Sequence, residues 1–192
     1  MSIDFFETHP QAYWEWFAQE NAREGVAPNA AHKFLAELEK RGSLSAVVTQ
    51  NIDGLHQSAG SERIFELHGN WSRLLCTGCG RRFSIADFDE ARTGAAPRCP
   101  SCACVVRPDI VFYGEMLGSG VLEGAVRAIA DADMLIVAGT SLVVYPAAGL
   151  VDYYDGDRLV LMNATPTPYD SRANLVIRDP VGKVFAELAR AV

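Results

Sequence analysis

Cysteine is missing from most of this 192-residue chain: all five lie between Cys76 and Cys104. An odd number crowded into one stretch fits a disulfide framework poorly and a metal site well. Basic residues are also scarce, 17 Lys and Arg against 24 Asp and Glu, a formal charge of −7. Such a surface repels a phosphate backbone, so direct nucleic-acid binding is not expected and basic peptides are the better partners. The opening Met1-Ser-Ile-Asp4 has no basic residue and no apolar run, so no secretory signal is expected and the expected compartment is the cytoplasm. No repeat and no low-complexity tract is present. Met134 to Val151, 18 residues without a charge, touches the lower limit for a membrane span. It contains Gly139, Pro146 and Gly149, however, and Asp131, Asp133, Asp152 and Asp155 flank it in place of Lys or Arg. A buried strand, a turn and a buried helix explain it better, and no membrane association is expected.

What is present suffices for a core. With 49% hydrophobic and 21% charged residues, the chain is about one domain carrying a small insert. Pro10 opens a helix predicted over 10–22 with Tyr13, Trp14 and Phe17 on one face, and Ala31, Phe34, Leu35 and Leu38 mark a second over 28–41. A short strand follows at Ser45–Thr49. Segment 71–107 shows little periodicity and reads as a module held by metal rather than by a core. Beyond it, strands at Val105–Tyr113, Met134–Ala138, Arg158–Met162 and Asn174–Ile177 alternate with helices at Val121–Ala130 and Tyr145–Tyr154. A last helical stripe is Val181, Val184, Phe185 and Leu188. Near-continuous apolar strands alternating with helices predict a parallel sheet covered on both faces, with ligands at the carboxyl ends of its strands. Two loops fall there: Gln50-Asn51-Ile52-Asp53-Gly54 and Gly139-Thr140-Ser141.

Cys76-Thr-Gly-Cys79 and Cys99-Pro-Ser-Cys102 are two C-x₂-C pairs. Each pair can form a tight knuckle presenting two thiolates, and two knuckles complete a tetrahedron around one zinc ion. Four thiolates leave no open coordination position, so the predicted role is structural. Cys104 could compete with Cys102, but C-x-C is the less usual spacing and Cys104 is read as a bystander. Gly118-Ser-Gly120-x-x-x-Gly124 imitates a dinucleotide fingerprint, but its spacing is wrong and no strand ends at it, so it reads as a loop.

In order along the chain stand Val47-Val-Thr-Gln-Asn-Ile-Asp-Gly-Leu-His56, Phe65-Glu-Leu-His-Gly69, the paired cysteines, Arg107-Pro-Asp-Ile-Val-Phe-Tyr-Gly-Glu115 and Ala138-Gly-Thr-Ser-Leu-Val-Val-Tyr-Pro146. This series resembles the sirtuins, NAD-dependent protein lysine deacylases with a Rossmann-type domain and a small zinc-bearing domain. Pro28-Asn-Ala-Ala-His32 is similar to the family's helix ahead of the first of these motifs. The resemblance implies an α/β fold: a Rossmann-like parallel sheet with helices on both faces, incomplete at the N-terminus, plus a small zinc-binding insert. The implied domains are a helical segment at 1–42, the NAD-binding domain at 43–70 and 108–192, and the zinc module at 71–107.

The implied activity is removal of an acyl group from a protein lysine, with NAD as co-substrate and nicotinamide and O-acyl-ADP-ribose as products. In the family's mechanism the acyl oxygen attacks the nicotinamide ribose and a histidine activates the ribose hydroxyls. His68 is the implied general base, since imidazole titrates near neutral pH; alone it would be read as a structural histidine, as His9, His32 and His56 are. Asn51 and Asp53 resemble the pair at the nicotinamide and ribose, with an Asx-turn as their bland alternative. Gln50 and Ile52 would complete that wall. Gly139, Thr140 and Ser141 would turn backbone and hydroxyl donors to the dinucleotide. Asn163 would meet the adenosine ribose and Val181 the adenine. Val111, Tyr113, Gly114 and Glu115, with Val143, Val144 and Tyr145, resemble the two segments between which an acylated lysine peptide lies as an added strand. Val111 and Ile52 would line the acyl channel. Tyr113 stands where the family usually has Phe, and its hydroxyl would need a partner if buried.

Two departures qualify the resemblance. The family's opening strand, Gly-Ala-Gly-x-Ser turn and Gly-Ile-Pro-Asp-Phe-Arg loop have no counterpart in this chain, and the expectation is that the natural polypeptide starts upstream. A protein truly beginning at Met1 is expected to bind NAD weakly and turn over slowly. Family members that remove succinyl or malonyl groups carry a Tyr-x-x-Arg pair on the first helix; Phe17 and Glu20 align there, so acetyl or another uncharged acyl group is expected. The rival functions are an impaired, zinc-stabilised module that binds acyl-lysine peptides, and a mono-ADP-ribosyltransferase on the same scaffold.

Overall fold

The structure, a computed structural model, describes residues 1–21 and 26–191. In chain order its helices are α1 (Ile3–Thr8), α2 (Pro10–Asn21), α3 (Ala30–Lys40), α4 (Leu55–Ala59), α5 (Asp89–Thr93), α6 (Ser119–Ala130) and α7 (Val181–Ala191). The strands are β1 (Val47–Thr49), β2 (Ile64–Glu66), β3 (Gly69–Cys76), β4 (Arg82–Ser84), β5 (Val106–Ile110), β6 (Leu135–Ala138), β7 (Leu159–Met162) and β8 (Leu175–Ile177). They form two compact units, one of Met1–Ala27, Asn51–Gly54 and Glu66–Leu117, the other of Pro28–Gln50, Leu55–Phe65 and Gly118–Val192.

The first unit is built on an antiparallel sheet of order β4-β3-β5. Its core is aromatic: Phe6, Tyr13, Trp14, Phe17, Phe88 and Phe112 pack with Leu74 and Val106. The helix predicted over 10–22 is α2, with position 22 outside the described residues; Pro10 starts it, and Tyr13, Trp14 and Phe17 make the buried stripe. Burying an indole leaves one donor to satisfy, and Trp14 Nε1 donates to the Val106 carbonyl at 3.2 Å.

That core corrects the reading of 71–107 as a module without one. Leu74, Cys76, Phe88, Ala91, Cys99 and Val106 belong to the same cluster as the α1 and α2 rings. The period was hidden because β3 bulges. Asn70 faces Asp109 but Leu74 faces Pro108, so β3 advances four positions while β5 advances one. The predicted strand Val105–Tyr113 is the shorter β5 and lies in this antiparallel sheet, not the parallel one.

The second unit carries a parallel sheet of order β6-β7-β8. Side chains alternate along β7: Leu159 and Leu161 are buried on one face, while Val160 and Met162 join Phe34, Phe185 and their neighbours from α3 and α7 on the other. The predicted α/β pattern therefore stands, with shifted ends. The helix expected at Tyr145–Tyr154 is a 3-10 helix, Ala147–Tyr153, since Pro146 has no N–H to give and Gly149 weakens an α-turn. The Gly118–Gly120 loop is corrected too, because Gly118 caps α6 and the helix begins at Ser119. Gly124 lets α6 pass Phe65, whose ring would lie 2.4 Å from an added Cβ. The uncharged stretch from Met134 is β6, a turn and the 3-10 helix, and among the described residues no helix is long and apolar enough to cross a membrane.

The helical segment expected at 1–42 divides, since α1 and α2 belong to the first unit and α3 to the second. Residues 51–54, 66–70 and 108–117 also fall in the first unit, outside the Rossmann-like part in which they were expected. The reason is β3, which runs from the Glu66–Gly69 turn straight to Cys76 and takes both flanks of the motif with it.

Candidate active site and metal centre

In the first unit, β3 and β5 meet at their open end on Gly69 and Ile110, and the residues just beyond are His68 and Val111. The Val111 N–H donates to the His68 carbonyl at 2.9 Å, which fixes the two backbones side by side. Gly69 is required there: its φ is +76°, and a Cβ would stand 2.0 Å from the Asp109 carbonyl oxygen. The Asn51–Gly54 loop joins the same place through Trp71 N–H, which donates to the Ile52 carbonyl at 3.1 Å. Thus His68, Ile52 and Val111 are half-buried neighbours of one backbone junction, with Asn51 exposed and Asp53 half-buried on the same short loop. Phe17 is buried in the aromatic core and packs on the Trp71 ring, whereas Glu20 is exposed.

The segment after Val111 is held more firmly than its sequence suggests. Glu115 takes both Arg107 guanidinium nitrogens, at 2.6 and 2.7 Å, and accepts from the Phe112 N–H at 2.9 Å. Arg107 in turn lies 4.7 Å above the Phe112 ring. Burial alone would raise the Glu115 carboxyl; the Arg107 pair and the Phe112 amide outweigh it and hold Glu115 below the usual carboxylate range. Glu115 therefore braces the turn. Tyr113 has its N–H and carbonyl engaged with Met1 and Ile3, which lie beside it as a short parallel bridge. Its ring is 70% exposed, so the hydroxyl needs no protein partner.

In the second unit the cofactor candidates collect at the carboxyl ends of strands. Gly139 follows β6 and donates to the Met162 carbonyl at 2.9 Å; Asn163 follows β7 and donates to the Ile177 carbonyl at 3.0 Å. Gln50 follows β1 and reaches Thr140 Oγ1 at 3.5 Å. Val181 opens α7, and its methyl would be 3.9 Å from a Cβ on Gly139. Ser141 is the next residue of that turn. The Asn163 amide nitrogen is turned to Thr165, so its carbonyl oxygen is the group it can offer to a hydroxyl. Val143, Val144 and Tyr145 are all exposed, and Tyr145 shares an open groove with Leu122, Val126 and Tyr153.

The four sulfurs of Cys76, Cys79, Cys99 and Cys102 lie within 4.8 Å of one another. The Cys76–Cys102 and Cys79–Cys99 separations are 3.3 and 3.7 Å. A tetrahedron with Zn–S bonds of about 2.3 Å needs sulfurs about 3.8 Å apart, so the set fits one zinc ion. The knuckle also favours thiolate. The Cys79 amide, then that of Gly78, hold Cys76 to about 6 against the cost of burial. Cys102, although the Cys104 amide favours its thiolate, is pushed up to about 12 by the Cys76 thiol beside it and by burial. Charges so crowded call for a dication. The set contains Cys102 and not Cys104.

Sequence reasoning passed over Asn70, Trp71 and Arg107. The signal was available for Arg107, an arginine with a glutamate eight residues on; nothing in the pattern marks Asn70, whose part depends on the bulge.

Comparison with known proteins identifies the family. The model of the Sir2 family matches residues 1–146. An NAD-dependent protein deacetylase of Clostridium acetobutylicum is 46% identical over 185 residues, covering 96% of this chain and 75% of that protein. One of Staphylococcus aureus is 40% identical over 188 residues, covering 98% and 76%. A solved Sir2 structure with p53 peptide and NAD+ superposes with a TM-score of 0.88 at 38% identity, covering 99% of this chain and 81% of the other. By these matches along most of its length, the chain belongs to the Sir2 family.

Proposed function

We propose that this protein is an NAD-dependent protein lysine deacetylase. Acyl-lysine, NAD and water would give lysine, nicotinamide and O-acyl-ADP-ribose. The observation that carries the reading is the junction at which His68, Val111 and the Asn51–Gly54 loop are tied by two main-chain hydrogen bonds. His68 serves as general base toward ribose hydroxyls, a function for which an imidazole is suited near neutral pH. Asn51 and Asp53 face the nicotinamide ribose, with Gln50 and Ile52 beside them. Gly139, Thr140, Ser141, Asn163 and Val181 bind the rest of the dinucleotide, as strand-end turns do in open α/β sheets. Relatives bound to p53 peptide with NAD+, to an acetylated peptide and to a propionylated one support an acylated lysine peptide as substrate.

Gly114 in the first unit, and Val143, Val144 and Tyr145 in the second, are each assigned to the peptide, as the family resemblance implies. Tyr113 gives it an exposed ring rather than main-chain bonds, because Met1 and Ile3 already use those. Glu115 acts as a brace, its oxygens being committed to Arg107 and Phe112. The acyl group lies along Ile52 and Val111. Phe17, packed on Trp71, offers no cation to an acidic acyl chain, so acetyl is preferred over succinyl. Zinc is structural. The thiolates it needs fit a reducing compartment, and we place the protein in the cytoplasm.

Incubation with NAD and an acetyl-lysine peptide tests the reading, with free nicotinamide and deacetylated peptide as expected products. His68→Ala should lower turnover about 10²- to 10⁴-fold with one zinc still bound. Full activity of that variant removes the assignment of the base. ADP-ribose transferred from NAD onto protein would point to ADP-ribosyl transfer, and faster cleavage of a succinyl peptide would overturn the acyl preference.

A further inference from the structure

Asn70 is a buried polar residue, 3% exposed, at the start of the bulge of β3. Its side-chain oxygen accepts from Ser72 N–H at 2.9 Å and Ser72 Oγ at 2.7 Å, an Asx-turn that folds the three surplus residues of the strand. Its amide nitrogen donates to Glu66 Oε1 at 2.6 Å, and the other Glu66 oxygen pairs with Arg73 at 2.7 Å. The same amide would stand 3.3 Å from a Cβ on Gly54, so it abuts the end of the Asn51–Gly54 loop. The bulge takes Trp71 N–H out of the β3–β5 ladder, and that N–H is the one that holds Ile52.

We infer that Asn70, with Glu66 as its acceptor, is a positioning residue for the deacylation reaction. It shapes the bulge so that the Asn51–Gly54 loop is clamped against the start of β3, the strand that His68 immediately precedes. Glu66 and Asn70 lie two residues on either side of His68, so one hydrogen bond spans the base and ties both of its flanks together. The inference rests on the proposed roles of His68 and the loop. Asn70 touches no reacting group in this scheme. It acts by keeping base and loop in register, and small misplacements of that kind can cost about 10²-fold in rate.

The test is a donor–acceptor exchange. N70D keeps the acceptor for Ser72 but sets a carboxylate against Glu66. E66Q in the same chain restores a donor on one side and leaves an oxygen for Arg73 on the other. N70D is expected to lower kcat for nicotinamide release roughly 10- to 100-fold with peptide KM within about twofold. N70D/E66Q should recover most of it, which a merely space-filling role would not do. Should N70D fail to fold, N70A, which has no side-chain donor for Glu66, is expected to show the same loss.

Hydrogen exchange of the Trp71 amide gives a reading independent of turnover: about tenfold faster in N70D and near the starting rate in the double variant. If the parent protein releases no nicotinamide, the functional reading fails and the exchange data alone decide the clamp. Unchanged kcat and unchanged Trp71 exchange in N70D, or a double variant no better than N70D, would overturn the inference.

Discussion

In the unit holding α1, α2 and the β4-β3-β5 sheet, the buried mass is rings, and they touch at angles: Phe6 lies edge-on to Tyr13, and Trp14 edge-on to Phe17. In the unit holding β6, β7 and β8 it is mostly aliphatic, with Leu159, Leu161 and Met162 inside a parallel sheet and Phe34 and Phe185 above it. The difference matches what each would hold under the proposed function. Backbone turns at the ends of parallel strands can grip a dinucleotide whatever side chains pack behind them. A single imidazole acting as base, the role proposed for His68, needs close placement, and the unit that carries it has a pinned register: thiols at one end of β3, and the Gly69 approach and the Asn70 bulge at the other.

The sharpest way to break that contrast is at the thiols. Removing zinc, or the variant Cys99→Ser, should unfold the β4-β3-β5 sheet, since structural zinc contributes on the order of 10 kcal/mol in small modules. Backbone amides of β3 and β5 would then exchange freely while those of β6 and β7 keep their protection. Equal loss in both sheets would show that the zinc-bearing sheet has no special dependence. Next comes the aromatic core. Trp14→Ala removes a fully buried ring and orphans the Val106 carbonyl, at a cost of about 3–5 kcal/mol read from denaturant unfolding of the zinc-loaded protein. A smaller loss would mean that the rings around it close the gap.

The brace at Glu115 is expected to count for less. Glu115→Gln loses the charge that Arg107 grips and should cost about 1–2 kcal/mol at neutral pH. Because Glu115 is held below the usual carboxylate range when folded, its contribution is complete above that range. It is lost as the pH falls through the lowered folded value. The stability gap between parent and variant should therefore narrow in acid. A gap that stays constant from neutral to strongly acidic pH would show that the carboxylate is not what the variant removes.

Much of the parallel-sheet unit could be read in the sequence, because its elements advertise themselves: apolar strands, then helices, at nearly the positions found. The metal ligands were legible for a different reason, as thiol spacing is a local property of the knuckle. The misses in the parallel-sheet unit are local, such as the 3-10 helix after Pro146 and the short α4, and the larger ones are in the other unit. β3 was hidden by its bulge, which breaks the two-residue alternation between Asn70 and Leu74. The division of 1–42 between units was hidden because nothing local in α2 tells that its rings meet Leu74 and Val106 rather than α3. Of the candidate site, His68 and the Asn51–Gly54 loop were named through the family resemblance. Their joining by Trp71 and Asn70 depends on contacts no single motif contains.

The smallest effect should come from the fifth thiol, and it separates ligand from neighbour inside the zinc-bearing unit. Cys104 serves through its backbone: its carbonyl accepts from Cys99 N–H at 2.8 Å, and its amide favours the Cys102 thiolate. Its sulfur fills the space over Gly78, where an added Cβ would stand only 2.4 Å away. Cys104→Ser keeps both main-chain bonds and nearly the same volume, so it should change stability by no more than about 0.5 kcal/mol and leave one zinc per chain. Gly78→Ala should destabilise the knuckle by driving a methyl group onto that sulfur, and Cys104→Ala in the same chain should relieve it. If Cys104→Ser instead lost zinc as Cys99→Ser does, the fifth sulfur would be a ligand, and the four-thiolate arrangement would have to be redrawn with Cys104 in it.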